Sequence, residues 1–537
     1  MNIRKKINRK KEQVLAERLE QTTTAYEGQP LSGSLDQDLE KVRNVLGESD
    51  DVIIREFEIS RPRKQRAAIV YIDGLVDTKL VNEFLLKPLV SDAGAGSGSD
   101  ENEESDLLKR IPMSEARLIK DFRQLIKAVL SGDTVLLREG GDPPLSVSSK
   151  GWKKRGVEEP LSESVVRGPR DAFTETLRIN TAQIRRRLKD PNLRLQGIKV
   201  GKRTDTDVVV VYIEGVANPD VLKEVQERIK RIEIDGALES GYIEQFIEDH
   251  HWSPFPQIQN TERPDRAAAA LLEGKIVILV DGTPFIMIAP ATFTQFYNSP
   301  EDYYERFLIA SMIRSIRLIS MFMALLLPSL YIAFSSFHPE MIPSKLVIAM
   351  AAGRATVPFS SIIEAFLMEI TMEILREASV RLPGPVGPTI GIVGALVVGE
   401  SAVRAGIVSP VMVIIVALTT IGSFASPSYS ASIALRMLRF PLMLFAGTLG
   451  LYGIMLFLIA ITIHLCNLES FGIPYLSPMA PRRVTGWKDT FYRTPLYQMV
   501  TRPPSTMSVD PKRVIPSTAE GVKKGESDEQ ADTPDQN

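Results

Sequence analysis

Cysteine is almost absent. Cys466 is the single one among 537 residues, so no intrachain disulfide can form. Histidine is scarce too: His250, His251, His338 and His464 offer no set at metal-ligand spacing, and His250-His251 beside Trp252 lacks a partner. No G-x-G-x-x-G or G-x-x-x-x-G-K run follows a strand-like segment, which removes the phosphate-loop enzymes. No nucleophile–base pair is evident, so no catalytic residue, metal or cofactor is expected. The formal net charge is only −2, with 24% charged residues, and this balance speaks against nucleic-acid binding. Behind the positive start Met1-Asn2-Ile3-Arg4-Lys5-Lys6 there is no apolar run, hence no secretory signal. The N-terminal half is therefore expected in the cytoplasm.

What the chain does have is a sharp division near Arg317. Before it the composition is that of a charged soluble protein. Residues 318–465 are dominated by Ile, Leu, Val, Ala, Met, Gly and Ser. The expected fold class is an α/β soluble N-terminal half, made of two related α/β subdomains, plus an α-helical transmembrane domain.

The two subdomains are read from an internal repeat. Ile69-Val70-Tyr71-Ile72-Asp73-Gly74 matches Val210-Val211-Tyr212-Ile213-Glu214-Gly215 at an offset of 141 positions. Leu130-Ser131-Gly132 matches Leu272-Glu273-Gly274 at 142. The copies are expected over about 52–139 and 193–290. Residues 208–213 are β-branched or aromatic throughout, as a strand requires. Asn218 then caps a helix with Pro219 at its first position. Leu222, Val225, Ile229 and Ile232 recur at helical period. In the first copy Asp77 takes the cap position. Asp281-Gly282 reads as a hairpin turn.

The domain boundaries follow. Residues 1–50 are expected to be a mostly disordered basic leader, with a helix near 10–20. Subdomain one covers 51–140, with a flexible insertion at 91–106. A helical connector takes 141–191, subdomain two 192–305, and transmembrane and interfacial helices 306–480. The tail, 481–537, is expected to be cytoplasmic and largely disordered.

A bilayer core needs about 20 apolar helical residues. Spans are expected at 318–337, 388–402, 408–424 and 440–465. Arg314 and Arg317 before the first, and Arg482, Arg483, Lys488 and Arg493 after the last, place both ends in the cytoplasm. Arg436 and Arg439 cut against this, because they would then lie outside. Residues 359–381 mix apolar side chains with Glu364, Glu369, Glu373, Arg376 and Glu377. Glu369, Glu373 and Glu377 fall four apart, on one helical face. That face either meets bulk water at the membrane surface or forms a cation-attracting vestibule. Gly391, Gly394, Ala395, Val398 and Ala402 make a narrow face for close helix packing. The other side carries Val393, Val397 and Glu400. Around an axis of identical subunits it would line a pore, with an apolar constriction and an acidic ring. Packing inside one subunit is the other reading.

Several motifs in one order resemble a known family. Val157-Glu158-Glu159-Pro160, the run Ser164-Val165-Val166-Arg167-Gly168-Pro169-Arg170-Asp171-Ala172-Phe173, and Asn180 with Ile184-Arg185-Arg186-Arg187 are similar to the signature of GerA-type spore germinant receptor A subunits. Phe255-Pro256-Gln257, Glu262-Arg263-Pro264-Asp265, Pro328-Ser329-Leu330-Tyr331 and Gly391-Ile392-Val393-Gly394-Ala395 continue the likeness, over about 156–481. The resemblance implies a multi-pass protein of the inner membrane of a bacterial spore, with its N-terminal half on the spore-core side. It implies a transporter-like B subunit, a lipoprotein C subunit, and self-association into a ring, proposed to be pentameric, that releases cations. Arg167, Arg170, Arg185, Arg186 and Arg187 are expected to form salt bridges within or between subunits, or else a solvated basic face. Two alternatives to a ligand-gated channel remain: a permease-type subunit and a non-conducting scaffold. The repeat lies in the soluble half, whereas transporters repeat their membrane halves, which disfavours the permease.

Overall fold

A computed structural model describes residues 31–59, 64–90, 111, 116–140, 143–151, 159–160, 162–381, 386–482 and 484–513. The expected leader helix, the insertion at 91–106, and everything beyond 513 lie outside the described residues. So does the side chain of Val393.

Helix α1 (Leu35–Leu46) precedes strands β1 (Val52–Ile59) and β2 (Gln65–Ile72). A helix built of Thr78–Leu80, Val81–Leu86 and Lys87–Val90 (α2) follows, then β3 (Ala116–Leu118), α3 (Phe122–Leu130), β4 (Asp133–Arg138) and β5 (Leu145–Ser148). The second copy repeats the scheme. It runs α4 (Leu177–Arg187), β6 (Leu193–Val200), β7 (Thr206–Ile213), α5 (Pro219–Lys230), an added α6 (Ser240–Ile247), β8 (Gln259–Thr261), α7 (Pro264–Leu272), β9 (Ile276–Val280) and β10 (Ile286–Ala289). Both five-stranded antiparallel sheets have the same order, β1-β2-β4-β5-β3 and β6-β7-β9-β10-β8.

The register repeats with the sequence. Val52 pairs with Ile72, and Leu193 with Ile213, each pair shifted by 141 positions from the other. Gly74 and Gly215 end the equivalent strands with φ of 86° and 79°, a conformation that a Cβ disfavours. Asp77 accepts from the backbone of Lys79 and Leu80, and Asn218 from Asp220, as the capping pattern predicts.

Two boundaries move. Each copy starts one helix before its first strand. The buried stripe of α1, with Leu35, Leu39, Val42 and Leu46, covers the first sheet beside α3. Ile184 of α4 packs with the second sheet beside α7. At the other end, β5 extends the first sheet to Ser148, into the segment expected to be a connector. The copies are joined through buried polar contacts. Arg185 donates to both Asp51 oxygens, at 2.7 and 2.8 Å, and to Ser49 Oγ.

The helical half comprises α8 (Phe307–Ser336), α9 (Ser344–Arg354), α10 (Ser361–Arg381), α11 (Val386–Arg404), α12 (Pro410–Phe424) and α13 (Tyr429–Asn467). By length and composition, α8 and α13 are the two described helices that are long and apolar enough to cross a membrane. Helix α13 is not one rod. Gly450 has φ 63° and ψ −139°, which breaks the helix. Phe445 and Phe457 have ring centroids 5.3 Å apart, whereas twelve residues of straight helix span about 18 Å. The chain therefore turns back on itself at Gly450, and the expected span at 440–465 becomes two antiparallel legs.

The legs alternate between a base, next to the α/β half, and a far end. Helix α8 starts at the base, and its end touches Gly450, where an added Cβ would lie 3.0 Å from Phe337 and His338. Helix α10 begins at the far end, with Ser361 bonded to Ser336, and descends until Arg376 donates to Ser423. Helix α11 returns to the far end. Helix α12 starts level with Tyr331, whose hydroxyl lies 3.1 Å from Ser409 Oγ, and ends against Ser320. The first leg of α13 leaves the base from Ala431 and Ala434. The second returns to the same apolar cluster through Ile461 and Leu465, with Phe255, Phe296 and Tyr475. Four expected crossings become six legs. Both ends of the bundle lie at the base.

The segment after residue 480 also departs from expectation. Up to Arg513 it is laid against the base and the second subdomain by specific bonds. Tyr303 donates to Asp489 (2.6 Å), Arg493 to the Asp302 carbonyl (2.7 Å), and Val509 N–H to the Val216 carbonyl.

Candidate functional site

Helix α10 carries the acids. Glu364 and Glu369 are buried in the bundle, and Glu373, one turn beyond Glu369, is partly exposed. Glu364 is fully buried; it accepts the Ser409 N–H and faces Arg354 at 3.8 Å. Glu369 meets Arg439, with side chains 2% and 4% exposed. Glu373 meets Arg436 at 2.8 Å. The acids four apart on α10 thus face the arginines three apart on the first leg of α13. This corrects the reading of a row of open carboxylates. Glu369 is tied inside the chain, because a carboxylate buried among apolar helices needs a counter-charge, while Glu373 keeps 43% of its side chain exposed beside Arg436. Glu377 is solvent-facing and pairs with Arg381 on its own helix.

Arg436 and Arg439 sit on the base side of the Gly450 turn. Their partners were legible in principle: two apolar helices, one with acids at i and i+4, the other with arginines at i and i+3, can pair without leaving a charge over.

Helix α11 packs mainly on α10 and α12. Gly394 lies against Leu375, and Gly399 against Val413. Gly394 of the narrow face and the adjacent Gly399 are thereby packed within the chain. Val397 is 54% exposed on the other side, and Glu400 is exposed and paired with Arg404 one turn on. Large apolar side chains continue the exposed surface elsewhere on the bundle, among them Ile319, Phe322, Ile414, Leu444, Met455 and Ile463. An apolar belt of this extent marks contact with lipid or protein.

The five arginines between the copies fall in different settings. Arg185 is buried in its bond to Asp51 and is no surface for a partner. Arg187 binds Asp171. Arg167 and Arg170 reach solvent, beside Glu305 at 3.7 Å and Glu159 at 3.3 Å. Arg186 is exposed.

A junction unforeseen in the sequence joins the two halves. Asp302, 3% exposed, lies 3.3 Å from Arg314 and 3.0 Å from Arg317 of α8. Asp489 binds Arg314 from the other side at 3.0 Å. Burial pushes the Asp489 carboxyl up, against the pull of Arg314 and the Tyr303 hydroxyl. Burial and the neighbouring Asp489 together push the Tyr303 phenol well above its ordinary value. Asp302 and Asp489 lie outside every repeat and motif, so only the folded chain reveals them.

A charged α/β half docked on a bundle with an apolar exterior and internally neutralised acids defines a membrane-associated protein with a water-facing domain. Comparison with known proteins narrows the class. The family described as Bacillus/Clostridium GerA spore germination protein matches residues 40–505. The chain is 44% identical over 483 residues to spore germination protein KA of Bacillus subtilis (strain 168), covering 90% of this chain and 88% of that one. It is 44% identical over 477 residues to spore germination protein GerLA of Bacillus cereus, covering 88% and 96%. It also resembles the crystallised N-terminal domain of the A subunit of the Bacillus megaterium spore germinant receptor GerK3. That likeness has 40% identity, 49% coverage of this chain, 98% of that one, and a TM-score of 0.39. The chain belongs to the GerA family of spore germination proteins, as an A-subunit-type member.

Proposed function

We infer that this chain is the membrane subunit of a nutrient germinant receptor, and that several copies around an axis form a ligand-gated cation channel. The six legs cross the inner spore membrane, with the α/β half and residues 484–513 on the core side. A transporter-like B subunit and a lipoprotein C subunit complete the receptor.

The observation that carries the reading is the two-sidedness of α11. Gly394 and Gly399 lie against α10 and α12, while Val397 and Glu400 are each more than half exposed among the described residues. Copies arranged about that face would place Val397 at a constriction, with Glu400 one turn beyond attracting cations. Val393 belongs to the same row by spacing. Of the vestibule acids, Glu373 and Glu377 reach solvent, while Glu369 is buried. Arg167, Arg170 and Arg186 are the exposed arginines of this set, placed for contact between copies.

Current recorded across planar bilayers holding the full receptor tests this. Val397→Ala should raise the resting leak severalfold, because apolar constrictions close by dewetting. Glu400→Gln should lower the preference for cations over anions. Unchanged leak and selectivity in both variants would remove α11 from the conduction path.

A further inference from the structure

Between α10, α11 and α12 lies a cavity of about 690 Å³. Met368, Met372, Leu375, Val413, Val416 and Ala417 form its apolar wall, and among the described residues the one charged side chain lining it is Arg376. Val380, Ile421 and Phe424, at its base-side rim, are 66%, 67% and 71% exposed. Arg376 donates to the neutral Ser423 hydroxyl at 2.8 Å and stands over the Phe424 ring at 4.9 Å. Its neighbours Arg436 and Arg439 each have a carboxylate in ion-pair contact; Arg376, among the described residues, has none.

The depth of the cavity carries the argument further. The base-side end of α12 is level with Ser320, and its start is level with Tyr331. The cavity runs along α12 from Phe424 to Val413, about 16 Å at helical rise. That is half of a hydrocarbon core of about 30 Å. A cation therefore stands at the base-side mouth of an apolar slot one leaflet deep.

We propose that this slot is a binding site for an anionic phospholipid of the leaflet beside the α/β half. Its phosphate meets the Arg376 guanidinium, and one acyl chain lies between α10 and α12. A guanidinium offers two parallel N–H donors to a phosphate, which Ser423 alone does not use up. The slot opens onto the exposed apolar belt, so a lipid enters sideways without passing the α/β half. Because Leu375 also abuts Gly394, an occupied slot would bear on the position of α11. The inference rests on the membrane placement proposed above.

The test is lipid retained by the full-length protein, extracted in a neutral detergent from vesicles of phosphatidylglycerol and phosphatidylcholine and weighed by native mass spectrometry. Phosphatidylglycerol should be retained over phosphatidylcholine. Arg376→Gln should lower its retention about tenfold, the worth of one charge-assisted pair. Arg376→Lys should keep part of it. Ala417→Phe, which fills the slot and leaves Arg376 in place, should lower it as well. Each variant is compared at matched melting temperature, and for one that unfolds, the other substitution supplies the reading. Displacement of the lipid by millimolar inorganic phosphate would make the ligand a free anion and overturn the proposal. Equal retention by all variants would overturn it too. Disulfide cross-linking between copies through Ala417→Cys, with no lipid retained, would assign the slot to a neighbouring subunit. Failure of the chain to enter micelles or vesicles at all would instead sink the membrane reading beneath it.

Discussion

Arg439→Met should lower stability by about 3–5 kcal/mol, because it strands the Glu369 carboxylate in an apolar bundle. Both side chains of the pair are less than one-twentieth exposed, so water offers the abandoned acid little relief. The second half of the prediction is sharper. Combining Glu369→Leu with Arg439→Met removes both charges and should restore a melting temperature near that of the parent. The cost of a buried pair lies in breaking it, while its net worth against an apolar replacement is near zero. Thermal unfolding of the detergent-purified single and double variants checks both parts. A double variant as unstable as the single one would mean that the pair sets the packing of α10 on α13 beyond neutralising charge. Germination by the double variant would then tell whether this layer serves only to hold the fold.

Arg314→Met is expected to cost a similar amount, roughly 3 kcal/mol or more, and to act locally. Arg314 is fully buried and is shared by Asp302 and Asp489. Asp302 keeps Arg317, and Asp489 keeps the Tyr303 hydroxyl, so neither acid is wholly abandoned. The weaker of the two attachments is the C-terminal segment, which has no sheet of its own beyond short turns. It should detach first. Limited trypsin digestion should then cut at Lys488 or Arg493 at least several times faster than in the parent, with the α/β half still intact. Unchanged cleavage would show that the other bonds of this segment suffice.

The sequence disclosed the parts of the fold that repeat. A strand, a glycine turn and a capped helix recur at one offset, and local chemistry is enough to specify them. Asp77 and Asn218 could be read as caps because a cap needs only its own next turn. What stayed hidden depends on partners far along the chain. Helix α1 and strand β5 join the first sheet by packing that no motif announces. The acids of α10 were visible as a face, but their burial is decided by Arg436 and Arg439, more than sixty residues on. Gly450 sat inside an unbroken apolar run, and one glycine among leucines does not reveal a reversal. The segment after residue 480 has the composition of a loop. Its order comes from Asp489 and Arg493 reaching back to α8 and the residues before it. For α11, the small-residue face was legible and so was the Val397 side, since helical spacing alone separates them.

Two engineered cysteines, examined in the membrane, test the central claim directly. In a Cys466→Ser background, Lys223→Cys lies on the exposed surface of α5, and Glu340→Cys lies in the exposed far-end turn after α8. An impermeant maleimide applied to sealed, oriented vesicles should label Lys223→Cys only from the side of the α/β half, and Glu340→Cys only from the opposite side. Labelling of both from one side would contradict a bundle that spans the bilayer between base and far end.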